Sequence, residues 1–332
     1  MAKKRIIWFE HMYQPSWNFY AYTDRLGSWD PKVMIERCYR PNALLMKKLG
    51  VKINMNITQT MFDFFRKNDA MDVLEIYQEL AKKGQIELVG STAHHILAIA
   101  KYKKVLPDEI AMQERFVKLF FGQSPKVFFP PEMAVDETTQ STIKALGYKG
   151  LITPGGLPNF NSWDCTGVFK GEVVLFPHNN FLTGQFAFPI GGFTSDHDLN
   201  AVMAKIDSYE LPCMIAMDHE TFGGYNNPYM LEMKQRFFEL AKERGWEFVH
   251  FSELLDEEPV GNIDILKPST WVGDFSKWER MPDRVEVINK ALEKISIENQ
   301  FFLRKWVLPS CHLHIDYATD KFWDYCRKAG IM

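Results

Sequence analysis

CMIAMDHE, residues Cys213–Glu220, is the stretch that decides the fold, because five apolar residues are followed directly by three ionisable ones. A continuous apolar run of this length is typical of a strand that is buried on both faces, as the strands of parallel sheets are. The pattern therefore predicts a buried parallel strand, with Asp218 and its neighbours at the carboxyl end.

The same alternation of a short apolar strand and an amphipathic helix repeats along most of the chain. The spacing predicts strands over residues 6–9, 51–57, 86–89, 127–129, 150–153, 171–176, 213–217 and 246–249. It predicts helices over residues 31–49, 107–121, 136–146, 196–208 and 228–244, and one more that follows the strand 51–57 and ends at residue 80. Seven or eight strand–helix units favour an α/β barrel, with an open doubly wound sheet as the alternative.

The pattern changes after about Glu258, where a helical stripe has no strand between its members. This stripe consists of Val285, Ile288, Leu292, Ile295 and Phe302. The sequence therefore predicts a barrel over residues 1–258 and a C-terminal helical segment over 259–332 that packs on it.

Composition excludes several classes of partner and site. A net charge of -3 with 24% charged residues provides no broad cationic surface, so neither nucleic acid nor a membrane is expected as a partner. The apolar run near the N-terminus is too short for a signal peptide, and none approaches the ~18 residues of a membrane span, so we expect a cytoplasmic protein. The five cysteines are scattered, which argues against a disulfide framework and against a zinc-thiolate site.

Two carboxylates stand where predicted strands end, which is where α/β barrels place their reactive side chains. Glu132 follows Pro130 and Pro131, whose rings fix the backbone, and rigid placement suits a nucleophile. Asp218 follows an apolar strand, where burial and nearby carboxylates would raise its pKa, as a proton donor requires. The sequence thus predicts a carboxylate pair for acid–base and nucleophilic work.

Aromatic residues are abundant, at 14% with nine Trp. Their rings can stack on the C–H faces of sugars. Trp17, Tyr225 and Trp271 lie in predicted loops and are candidate platforms for a carbohydrate, as are Trp163 and Trp278.

Four stretches resemble the sequence motifs of glycoside hydrolase family 57. These are His11–Pro15, the run from Gly84 to His95, Phe128–Met133 and Asp218–Gly223, and they occur in the family's order. Tyr13 departs from the first motif, which usually has a second His there.

The resemblance implies an incomplete (β/α)7 barrel and a retaining enzyme that acts on α-linked glucans or oligosaccharides, such as an amylase, a 4-α-glucanotransferase or an α-galactosidase. It implies that Glu132 is the nucleophile and Asp218 the general acid/base, without metal or cofactor. The motifs also imply substrate-binding roles, which fall to His11, Gln14, His95 and Glu220. The exact sugar, the choice between hydrolysis and transfer, and the oligomeric state are left open.

Two alternatives belong to other classes. A metal-dependent deacetylase or mannosidase on a related barrel would use His11, His95 and Asp218 around zinc. A non-catalytic carbohydrate-binding protein would keep the aromatic platforms without turnover. A separate candidate for a metal cluster is His312–Asp316, in which His312, His314 and Asp316 alternate.

Overall fold

The structure is a computed structural model that describes residues 4–16, 30–160, 162–187, 196–224, 229–313 and 320–332. Strands are numbered here in chain order. They are β1 (Arg5–Met12), β2 (Ile53–Ile57), β3 (Ile86–Leu88), β4 (Val127–Phe128), β5 (Gly150–Thr153), β6 (Phe169–Lys170), β7 (Val174–Pro177), β8 (Cys213–Asp218) and β9 (Glu247–Phe248).

Parallel strands form two sheets that are joined into an incomplete barrel. One sheet has the order β3-β2-β1-β8 with β9 also on β1, and the other has the order β4-β5-β7 with β6 antiparallel at its edge. Gly90 joins β3 to β4, because its N–H donates to the Val127 carbonyl at 2.9 Å. On the other side the Asn179 N–H donates to the Met214 carbonyl at 2.9 Å. The predicted α/β class and incomplete (β/α)7 barrel are confirmed.

Helices connect the strands and follow the last of them. A continuous helical run comprises Pro31–Met34, Ile35–Tyr39 and Arg40–Leu49, and another comprises Leu106–Phe116 and Val117–Phe121. The remaining helices are Gln59–Lys67, Met71–Lys82, Thr139–Ala145, Asn180–Ala187, Asp196–Asp207, Tyr229–Glu243, Ser276–Glu279, Pro282–Glu293, Gln300–Trp306 and Asp320–Lys328, and short 3-10 turns occupy Ala100–Tyr102, Pro131–Met133, His219–Thr221, Phe251–Leu254 and Ser310–Leu313.

Alternate side chains of β1 enter two different cores. Ile7 and Phe9 pack inside the barrel, whereas Trp8 packs outward and its ring lies 5.4 Å from Phe186 and 5.3 Å from Phe237. Trp8 is completely buried, so its replacement by Ala should cost about 3–5 kcal/mol of stability. The same alternation turns His11 towards the barrel interior.

The C-terminal helices cover the outer side of the second sheet. Phe128, Leu151 and Leu175 of β4, β5 and β7 share an apolar cluster with Ile288 and Leu303 of these helices. The division of the chain at residue 258 stays a prediction. In the described part of the chain, no helix has the length and apolar character needed to cross a bilayer.

Candidate active site

Glu132 follows β4 in a backbone conformation that is uncommon for a residue with a side chain. Its φ is 60° and its ψ is 16°, in the left-handed region, which costs on the order of 1–3 kcal/mol. Surrounding contacts hold this conformation: the Met133 N–H donates to the Pro130 carbonyl at 2.8 Å, and the Trp271 N–H donates to the Glu132 carbonyl at 3.2 Å. The backbone at Glu132 is therefore fixed from both sides.

The Glu132 carboxylate accepts one hydrogen bond on each oxygen. Trp271 Nε1 donates to Oε2 at 3.0 Å, and Ser310 Oγ donates to Oε1 at 3.1 Å. His95 Nδ1 lies 3.9 Å from Oε1. The side chain keeps 17% of its surface exposed, so the carboxylate is oriented and still accessible.

His95 lies beside Glu132 in a cluster of three rings and stacks on both of the others. Its ring centroid lies 4.8 Å from that of His11 and 4.3 Å from that of Tyr13. His11 Nδ1 lies 2.9 Å from Asn56 Oδ1, and His95 Nδ1 lies 2.8 Å from Ser310 Oγ. Burial lowers the pKa of each histidine to about 3, so both imidazoles are neutral near pH 7.

Asp218 ends β8 and faces the same side of the sheet as His11, its partner in the parallel register. Its side chain is exposed to solvent in the free protein, although protein surrounds the strand end. Burial and the charge of Glu132 raise the pKa of Asp218 to about 7, and the Lys277 ammonium acts in the opposite direction. Water at the carboxyl weakens the effect of burial in the free protein, and a bound sugar that displaces this water would strengthen it.

Gln14 and Glu220 lie together in a buried cluster behind Asp218. Tyr39 Oη donates to Glu220 Oε1 at 2.5 Å, and Gln14 Nε2 donates to Tyr39 Oη at 2.9 Å. Burial and the charge of Asp218 raise the pKa of Glu220 to about 8. Both residues are less than a tenth exposed, so their predicted contact with substrate stays a prediction.

A buried ion network lies beneath this cluster, on the outer face of the barrel. Glu10 accepts from Trp8 Nε1, forms an ion pair with Lys234 Nζ and is bonded to His219 Nδ1. His219 Nε2 contacts Tyr77 Oη at 2.9 Å. Burial alone would raise the pKa of Glu10, but Lys234 and His219 together lower it to about 2. The network anchors the turn that directly follows Asp218.

Trp271 and Lys277 line the site from the segment beyond the barrel strands. Lys277 Nζ lies 4.3 Å from the centroid of the Trp271 ring, within the range of a cation–π contact. Trp271 is half-buried, and its indole N–H is already bonded to Glu132. Of the other four predicted platforms, Trp17 and Tyr225 lie outside the described residues and Trp163 is exposed. Trp278 is buried, so the prediction that it offers a ring face to a sugar is wrong.

The two histidines of the metal-dependent alternative are each hydrogen-bonded through Nδ1, so only Nε2 of each ring could bind a metal. His11 and His95 each direct Nδ1 to a protein oxygen, on Asn56 and Ser310 respectively. Among the residues that the structure describes, no group of three His, Cys, Asp or Glu side chains could hold a metal ion.

The second candidate metal cluster is only partly described. His312 is buried, and its Nε2 lies 2.9 Å from the Trp306 carbonyl oxygen. Its proposed companions His314 and Asp316 lie outside the described residues.

Three residues of the site were not found from the sequence. Ser310 and Lys277 come from the helical segment, and Tyr39 comes from a helix interior. None of the three follows a predicted strand, and none occurs at a spacing that indicates a functional role.

A parallel α/β barrel with two interacting carboxylates at its strand ends is an arrangement found in glycoside hydrolases. Residues 5–265 match the model of glycosyl hydrolase family 57. The chain belongs to this family.

A relative with a named activity agrees with this assignment. The chain is similar to a putative alpha-amylase of Methanocaldococcus jannaschii, with 26% identity over 302 residues that cover 80% of this chain and 63% of the relative. It therefore spans less than two thirds of that relative's length.

Two solved structures share the fold at low sequence identity. One is a 4-alpha-glucanotransferase from Thermococcus litoralis, with a TM-score of 0.73 and 14% identity over 99% of this chain and 60% of that one. The other is a branching enzyme from Thermococcus kodakaraensis, with a TM-score of 0.73 and 13% identity over 99% of this chain and 88% of that one.

Proposed function

We propose that this protein is a retaining glycoside hydrolase or transglycosylase that acts on α-linked glucans or oligosaccharides. Family membership supports the reaction class, and the names of the relatives, an amylase, a glucanotransferase and a branching enzyme, support the substrate class. The observation that carries the mechanism is the placement of two carboxylates at the carboxyl ends of barrel strands, Glu132 after β4 and Asp218 at the end of β8, near enough for the charge of Glu132 to act on Asp218.

In the first step Glu132 attacks the anomeric carbon while Asp218 gives its proton to the glycosidic oxygen. The bond from the carbon to the leaving sugar breaks, and an ester bond to Glu132 forms. In the second step Asp218 takes a proton from water or from a sugar hydroxyl, and that oxygen displaces Glu132. The product keeps the configuration of the substrate.

The roles of the two carboxylates follow from their surroundings. Glu132 has two hydrogen-bond donors and a fixed backbone, which suit an ionised nucleophile. Asp218 has a pKa near 7, so it can hold a proton in the first step and release it afterwards. The neutral His11 and His95 provide polar ring atoms for sugar hydroxyls, and Trp271 provides a ring face for stacking.

The test combines a substrate screen with a change at the nucleophile. Purified protein is incubated with maltooligosaccharides and with 4-nitrophenyl α-glucosides and α-galactosides, and the products and their first-formed anomer are identified by NMR. Glu132→Gln, which is nearly isosteric, should abolish turnover, whereas the exposed control Glu137→Gln should not. Residual activity above a few percent in Glu132→Gln, or an inverted first product from the wild type, would exclude this mechanism.

A further inference from the structure

Both hydrogen bonds to the Glu132 carboxylate come from the segment that follows the barrel strands. Trp271 reaches Oε2 and Ser310 reaches Oε1. One donor on each oxygen opposes rotation of the carboxylate about the last bond of its side chain. The orientation of Glu132 therefore depends on residues of the C-terminal helical region as well as on β4.

Ser310 has a single hydroxyl proton, and this determines which group donates in each of its two side-chain hydrogen bonds. Ser310 Oγ gives this proton to Glu132 Oε1, so towards His95 the same oxygen can only accept. His95 must then carry its proton on Nδ1 and donate it to Ser310. Because a neutral imidazole has one N–H, this arrangement leaves His95 Nε2 as an acceptor. Three groups thus form one directed chain that ends on the carboxylate.

Ser310 is itself held firmly from two directions. Its backbone N–H donates to the His95 carbonyl at 3.0 Å, which ties the Ser310 turn to the loop that follows β3. The buried Arg284 donates from Nη1 to the His312 carbonyl at 2.6 Å, which ties the same turn to the helix Pro282–Glu293. The hydroxyl therefore has a defined position before any substrate binds.

We propose that Ser310 is a positioning residue for the nucleophile, linking the His95 imidazole to Glu132 and stabilising the carboxylate when it departs from the sugar in the second step. The inference rests on the proposed function, because it assumes that Glu132 attacks the sugar. Hydrogen bonds aimed at an oxygen that gains charge in a transition state lower the barrier without reorganisation. Ser310 acts through Glu132 and needs no contact with the substrate.

The first experiment compares Ser310→Ala with a matched control. Ser91→Ala makes the same change at another fully buried serine, whose Oγ has no hydrogen-bond partner among the described residues. With a 4-nitrophenyl α-maltoside as the probe, Ser310→Ala should lower kcat about 10- to 100-fold. KM should fall with kcat, because a slower second step lets the covalent intermediate accumulate. A kcat equal to that of Ser91→Ala would overturn the inference.

A second measurement separates action through Glu132 from a general structural role. In Glu132→Ala, azide can take the place of the missing carboxylate and restore turnover. Adding Ser310→Ala to that variant should leave the azide-supported rate unchanged, because the group on which Ser310 acts is absent. A second loss of 10-fold or more would assign Ser310 a structural role instead.

A third measurement requires no turnover and therefore distinguishes this inference from the proposed function. Crystal structures of Ser310→Ala and Ser91→Ala should differ at one place, with the Glu132 carboxylate rotated or in two conformers only in Ser310→Ala. An unchanged carboxylate in both variants would overturn the inference even if no substrate were found. If the carboxylate moves but Glu132→Gln remains active, the positioning stands and the proposed nucleophile is wrong.

Discussion

The pKa of Asp218 leads to a prediction about the pH dependence of catalysis. A general acid must hold its proton in the first step, so activity should be present below the pKa of Asp218 and lost above it. With a pKa of about 7, the acid is about half protonated at pH 7, about one tenth at pH 8 and about one hundredth at pH 9. On a natural oligosaccharide, kcat/KM should therefore fall about tenfold for each pH unit above 7.

The assay is the pH profile of kcat/KM on maltooligosaccharides, repeated with Asp218→Asn. The variant should lose about 10²–10⁴ in rate on this substrate, because a sugar alkoxide leaves poorly without a proton. On a 4-nitrophenyl glycoside the first step needs little protonation, so the variant should release a burst of nitrophenol and then turn over slowly. Its alkaline limb should also disappear.

Asp256→Asn is the control, since it makes the same change at an exposed position. Either of two results would refute the assignment of Asp218 as the acid. One is a wild-type profile that stays flat from pH 7 to 9. The other is an Asp218→Asn variant that loses the same factor on both substrates, shows no burst and keeps the alkaline limb.

The remaining predictions concern a cation beside the acid, the buried ion pair and metal. Lys277→Met should move the alkaline limb to higher pH, because Lys277 lowers the pKa of Asp218, while Lys277→Arg should leave it in place. Lys234→Met leaves the buried charge of Glu10 unpaired and should cost about 3–5 kcal/mol in urea unfolding, part of which Glu10→Gln in the same chain should restore. Because the pKa of Glu10 is lowered to about 2 in the fold, its contribution to wild-type stability should be complete above about pH 4.5 and lost as the pH falls towards 2. Prolonged treatment with a chelator should leave turnover unchanged, and activity that zinc alone restores would contradict the proposed mechanism.

Strand and helix order could be predicted from the sequence because it depends on local periodicity. Three details could not. The strand predicted over residues 171–176 is instead two antiparallel strands, Phe169–Lys170 and Val174–Pro177. The helix Asn180–Ala187 contains Thr183 and Gly184, which are poor helix formers, and it forms where Leu182 and Phe186 enter the core. The predicted single helix ending near residue 80 is instead two helices, Gln59–Lys67 and Met71–Lys82, separated at Asp69, whose φ is 54°.

Some residues of the candidate site could be predicted from the sequence and others could not. Glu132 and Asp218 were located because each follows an apolar strand, and a strand end is a local feature of sequence. Ser310 and Lys277 reach the same site from the helical segment. The periodicity of that segment predicts which helix face is buried, but it does not predict which residues of the barrel this face contacts. Tyr39 is apolar over most of its surface, so its spacing predicts a core position and hides the hydroxyl that bonds Glu220.

The match to the family ends at residue 265, before both residues that hold the Glu132 carboxylate. A graft or fragment cut at that boundary would carry Glu132 and Asp218 and yet lose Trp271 and Ser310. For protein engineering, the smallest transplantable unit of this site therefore runs at least to residue 313, the end of the turn that carries Ser310. A chimaera that exchanges the helical region between relatives would also exchange the environment of the nucleophile, although every strand of the barrel stayed the same.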